Sequence, residues 1–175
     1  MNYIEEYHKY IEEHPKRIPK AIKQRVKLDK ELLKKHDFKE ELVDNIIGYI
    51  EFYCVLDTDK KFKMTLVQKY MLSVIFGFWT VKEKTEIDVN GEIKQQYTVY
   101  ERVVKEVLIM VASGFGKTTF LSALNFFLMQ VDKLIPSPQI FIGSNAHQQS
   151  KLCFDTTMKM LKRSKFTNYY VGIDD

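Results

Sequence analysis

The period of apolar positions changes along the chain, and those changes mark its elements. Phe38, Leu42, Ile46, Tyr49 and Tyr53 recur three and four apart, with Val43, Ile47 and Ile50 widening the stripe, so an amphipathic helix is expected there. Asp37 stands as its N-cap, with Glu40 three residues on. Residues 1–35 are polar and charged, and read as helix in pieces broken at Pro15 and Pro19. LDTDKK at 56–61 reads as a linker, and MTLVQKYMLSVIFGFW then predicts a strongly apolar helix from about Leu66 to Phe76.

After Trp79 the period drops to two. TEIDVNGEIKQQYTVY alternates about Asn90-Gly91, the strongest short signal for a type I′ hairpin. Residues 103–111 form a mostly apolar run suited to a strand buried on both faces of a parallel sheet. A loop at 112–118 feeds a helix with Phe120, Leu124, Phe127, Leu128 and Val131 on one face. LIPSPQ is a turn, QIFIGS at 139–144 a second short buried strand, and 145–163 a helix lined by Phe154, Met158 and Leu161. Strand, loop, helix, strand, helix is a βαβα unit, which calls for a parallel sheet with a right-handed crossover. No internal repeat or low-complexity segment interrupts it.

Composition changes the picture little. With 45% hydrophobic and 29% charged residues the chain is globular in type, and a formal charge of +4 permits a polyanionic partner without requiring one. The charges of KAIKQRVKLDKELLKK are interleaved and read as a solvated helix face. Cys54 and Cys153 lack metal-site or disulfide-framework spacing, which suits a reducing compartment. The acidic, broken start is no signal peptide, and no apolar run approaches the roughly 18 to 20 residues of a membrane span. A cytoplasmic protein without a membrane partner is expected.

The candidate chemistry lies in VASGFGKTTF. Enclosing a phosphate with backbone N–H groups needs residues free to adopt positive φ, and Gly114 and Gly116 stand two apart before Lys117-Thr118. The following helix would add its N-terminal partial charge. Lys117 would reach the β- and γ-phosphates of ATP as the catalytic cation, and the Thr118 hydroxyl would be a ligand of Mg²⁺. Ser113, Gly114, Phe115, Gly116, Lys117, Thr118 and Thr119 are the expected nucleotide contacts. The usual G-x-x-x-x-G-K-[ST] pattern has glycine where this chain has Val111, so the loop is a variant. The expected fold is therefore an α/β P-loop NTPase core, its parallel sheet incomplete, with a β-hairpin insertion and a helical N-terminal region. Residues 1–60 would form the helical region and 61–175 the front of the ATPase domain.

TLVQKYMLSVIFGFW resembles the glutamine-bearing helix of phage terminase large subunits, and ELVDNIIGYIEFYC resembles the helix that precedes it there. The family continues, as here, with a hairpin, a strand, a deviant Walker A loop, a second strand and a helix like FIGSNAHQQSKLCFDTTMKML. The resemblance runs in order from about residue 37 to 163. It implies that Gln68 reads adenine, an amide being able to donate to N7 and accept from the exocyclic amine. It also implies an ATP-driven motor moving double-stranded DNA into a prohead in a bacterial host. A ring of subunits, a small-subunit partner, a portal and an endonuclease domain in the parent chain would go with it.

Two departures stand out. Many family members carry an arginine early in the loop, where this chain has Ser113. The acidic Walker B pair and the nuclease carboxylates of the family come later than this sequence extends, YYVGIDD being a poor substitute, so nucleotide binding with marginal turnover is expected. A helicase-like translocase, or a nucleotide-binding fragment without catalysis, are the rival readings. Asn145, His147 and Gln148 are candidate DNA contacts, with helix capping by Ser144 or Asn145 as the plainer role. The four histidines share no metal-ligand spacing and read as surface residues.

Overall fold

A computed structural model describes residues 2–16, 18–56, 58–87, 93–131 and 139–164, apart from the side chains of Ile87, Lys94 and Val131. Its elements in order are α1 (Tyr3–Glu13), α2 (Lys20–Lys35), β1 (Asp37–Phe38), α3 (Glu40–Tyr53), α4 (Leu66–Gly77), β2 (Phe78–Ile87), β3 (Ile93–Arg102), α5 (Lys117–Val131) and α6 (His147–Arg163). They fall into two compact units, one of residues 1–44 and 65–108, the other of 45–64 and 109–175.

In the first unit, α1 opens with Asn2 as its cap, the side chain accepting from the Ile4 and Glu5 N–H groups. Its inner face packs Ile4, Tyr7 and Ile11 against Tyr70 of α4 and Phe78 of β2. Ile22, Val26, Leu32 and Leu33 of α2 lie against the same cluster. A charged group sits inside it. Asp29 is fully buried, and its carboxylate accepts from the Tyr70 hydroxyl at 2.7 Å and from Arg25 Nε at 2.8 Å, with His8 Nε2 at 3.1 Å. Three donors from three helices satisfy one carboxylate, as a buried charge requires. His8 is therefore an interior residue, 7% exposed, against the surface position expected for it.

The sheet of this unit has the order β1-β2-β3 and is antiparallel throughout. Asp37 pairs with Trp79 and Phe38 with Phe78, so α3 begins at Glu40 and Asp37 is not its cap. Gly77 permits this junction: a Cβ there would lie 2.2 Å from Phe38 Cε2. β2 and β3 pair from Trp79↔Arg102 to Glu86↔Gln95, with a register shift before Ile87↔Ile93. The expected Asn90-Gly91 turn lies outside the described residues, as does the YYVGIDD segment.

In the second unit, the rest of α3 buries Ile46, Ile47, Ile50 and Cys54. The expected 56–61 linker is folded back on itself: Leu56 N–H donates to Lys60 O at 2.8 Å, Phe62 N–H to Cys54 O at 2.9 Å, and Asp59 takes φ +57°. Arg163 at the end of α6 donates to Leu56 O and pairs with Asp59 at 3.7 Å. α5 packs on α6, where Ser122 and Asn125 meet Cys153, while Phe126 and Phe127 lie beside the Tyr49 ring of α3. Phe154, expected on the inner face of α6, is 50% exposed. Ser122, fully buried, donates to Cys153 O at 3.0 Å, a small residue letting the helices close.

The expected parallel P-loop sheet is not formed. Among the described residues every strand pairing is antiparallel, and neither 103–111 nor 139–144 is a strand beyond the last backbone contact of Val103 with Phe78. Leu108, Met110 and Phe141 are 85%, 84% and 87% exposed. An apolar run states that burial would be favourable, but a strand exists only where a neighbour takes its N–H and C=O groups. Among the described residues no strand pairs with either segment.

Candidate functional site

The loop before α5 is built as a turn with two left-handed residues. Gly114 and Gly116 have φ of +81° and +80°, either side of Phe115, whose N–H approaches Ala112 O at 3.4 Å. No atom lies within 4 Å of where a Gly114 Cβ would stand, so backbone conformation and not crowding calls for glycine there. Phe120 N–H donates to Gly116 O at 2.9 Å, the first bond of α5, which leaves the N–H groups of Lys117, Thr118 and Thr119 without helical acceptors. Ser113, Gly114, Gly116 and Lys117 are exposed, Phe115, Thr118 and Thr119 half-buried, and Phe120 is buried beneath. The seven residues expected to touch nucleotide are thus consecutive on one exposed turn, anchored by Phe120. This arrangement can accept an anion through backbone N–H groups, with a lysine ammonium and two hydroxyls beside it.

Gln68 belongs to the other unit, on the first turn of α4, and is 3% exposed. Its Oε1 accepts from Thr65 N–H at 2.9 Å while its own N–H donates to Thr65 Oγ1 at 3.4 Å, a reciprocal capping box. The T-x-x-Q spacing of Thr65 and Gln68 is the sequence signal for this role.

Asn145, His147 and Gln148 are exposed at the start of α6. The N-cap is Ala146, with no side-chain cap bond, and Ser144 Oγ accepts from Ser150 N–H at 3.1 Å. His147 lines an open recess of about 460 Å³ with Ile140, Ile142, Lys151 and Asp155. Among the described residues no group of three or more His, Cys, Asp or Glu side chains is placed to hold a metal ion, and no helix is long and apolar enough to cross a membrane. No protein-family model, curated protein or solved structure matches the chain.

Proposed function

We propose that the chain binds the polyphosphate of an adenine nucleotide, with Mg²⁺, on the turn at 113–119. The observation that carries this reading is the pair of positive-φ glycines immediately before Lys117 at the N-terminus of α5. Lys117 would sit against the terminal phosphates, and the Thr118 hydroxyl would be a ligand of the Mg²⁺ that arrives with the nucleotide. Resemblance to phage terminase large subunits supports the wider reading, that this is the ATP-binding portion of a DNA-packaging motor in which Gln68 meets the adenine. For Gln68 that role requires its amide to serve the base as well as the α4 cap.

Titration of a fluorescent ADP analogue with Mg²⁺ tests the reading. Wild type is expected to bind. Lys117→Ala should lose affinity at least tenfold, and Gly116→Val should lose it while leaving helix content unchanged, because a β-branched side chain resists φ near +80°. Equal binding by all three proteins overturns the proposal. Gln68→Ala should weaken ATP more than GTP; an unchanged ratio removes Gln68 from the base site and leaves it as a cap.

A further inference from the structure

α6 uses two faces. Thr157, Met160 and Leu161 are buried on one of them. Beside it His147, Ser150, Lys151, Phe154 and Asp155 recur three and four residues apart, on an arc of about 140°. This second face looks onto the 139–144 segment, where Ile140 and Ile142 are half-buried and Gln139, Phe141 and Gly143 are exposed. An open recess of about 460 Å³ lies between the two isoleucines and the five helix residues, all within one unit. The turn that joins segment to helix is tied by hydrogen bonds: Ser150 N–H donates to Ser144 Oγ at 3.1 Å, and Ser150 Oγ to His147 O at 2.9 Å. The lining is apolar where Ile140, Ile142 and Phe154 meet, and it carries one charge of each sign. Lys151 and Asp155 stand four residues apart, a spacing at which helical ion pairs form, though with lysine first the order is the weaker one. Neither makes an ion pair or a side-chain hydrogen bond among the described residues. Asp155 is half-buried, so its carboxylate gives up part of its water without gaining a donor there.

We propose that this recess binds a free α-amino acid with a large apolar side chain. The ligand's ammonium meets Asp155, its carboxylate meets Lys151, and its side chain lies against Phe154 and the two isoleucines. Lys151 and Asp155 are about one turn apart, about 6 Å along the axis, which suits a molecule that holds both charges on one carbon and makes one hydrogen bond at each end. A volume near 460 Å³ falls within the range of small-molecule sites, about 300 to 1,000 Å³. Charge selects against other occupants. A phosphate-bearing ligand would bring its negative charge against Asp155 with a single lysine to offset it. A wholly apolar ligand would cover both charges and leave them without partners. An internal peptide segment carries no charge on its backbone for either side chain to meet.

Ligand-observed NMR titration of the full chain with L-phenylalanine, 3-phenylpropanoate and phenethylamine tests this. Phenylalanine should bind in the millimolar range, as about twelve non-hydrogen atoms on an open site imply. Each analogue lacks one of the two charges and should bind about fivefold more weakly. Two variants assign the charges. Lys151→Gln should bind phenylalanine and phenethylamine alike, and Asp155→Asn should bind phenylalanine and 3-phenylpropanoate alike, both with helix content unchanged. Phe154→Ala should weaken all three ligands. Lys117→Ala should change none of them, so failure here is separate from failure of nucleotide binding. The proposal is overturned if wild type binds no phenylalanine up to about 20 mM or binds the three ligands equally. It is also overturned if either charge variant keeps the wild-type preference, or if N-acetyl-phenylalaninamide binds as tightly as phenylalanine, the mark of a groove for peptide.

Discussion

Replacing Asp29 by alanine removes the one acceptor that serves three helices. Its carboxylate is fully buried and takes Tyr70 Oη at 2.7 Å, Arg25 Nε at 2.8 Å and His8 Nε2 at 3.1 Å. Without it the Tyr70 hydroxyl and the His8 ring, 8% and 7% exposed, keep buried donors with nowhere to give them. Removing one partner of a buried charged pair costs about 3 to 5 kcal/mol, and the partial exposure of Arg25 places Asp29→Ala toward the lower end. Tyr70→Phe deletes only one bond to a charged acceptor, about 1.5 to 3 kcal/mol. Since both changes remove the same contact, the double variant should fall short of the sum by at least about 1 kcal/mol. Urea unfolding monitored by circular dichroism, run as a double-mutant cycle, reads all three numbers. An Asp29→Ala cost below about 1 kcal/mol, or strict additivity with Tyr70→Phe, refutes the view that this carboxylate holds the helices together.

Two further outcomes follow from packing and burial. Gly77→Ala should cost about 1 to 3 kcal/mol in thermal or urea unfolding, because its Cβ would overlap the Phe38 ring, and Phe38→Ala should relieve the overlap in the double variant; a neutral Gly77→Ala would show that the ring moves freely. Burial pushes the Cys54 thiol up to about 12, from an ordinary 9, and raises the Tyr70 hydroxyl as well, so both favour the fold below their unfolded values. That contribution is lost as pH rises through the folded values, so unfolding is expected to steepen above about pH 9, and a thiol reagent at pH 8 should modify half-buried Cys153 well before Cys54. Equal labelling rates in the folded protein would contradict the burial of Cys54.

Helices were legible because their signal is local. α3, α4, α5 and α6 follow runs whose apolar positions recur at helical spacing, and their spans differ from expectation mainly at the ends. β1 was not legible, since two residues become strand only because Phe78 and Trp79 lie alongside. The runs at 103–111 and 139–144 misled for the same reason: hydrophobicity carries no record of a ladder partner. His8 and Asp29 misled through their charge, although Asp29 sits in register with Ile22, Val26 and Leu33 on the inner side of α2. At the candidate site the glycines were legible because few residues other than glycine take positive φ readily. The amide of Gln68 suits a base as well as a helix cap, and its oxygen is taken by the N–H of Thr65, three positions away.

Leu108, Met110 and Phe141 stand almost fully in solvent, in segments that are neither helix nor strand. Exposed apolar segments outside any ladder are templates for pairing with like segments of other molecules. The chain in isolation is therefore expected to be limited by colloidal behaviour before it is limited by folding, with self-association rising with concentration. Lys105 and Glu106 act as gatekeepers at one end of the first segment, but no charge interrupts 107–116, so a charged substitution at Leu108 or Met110 is the first to make when soluble material is needed.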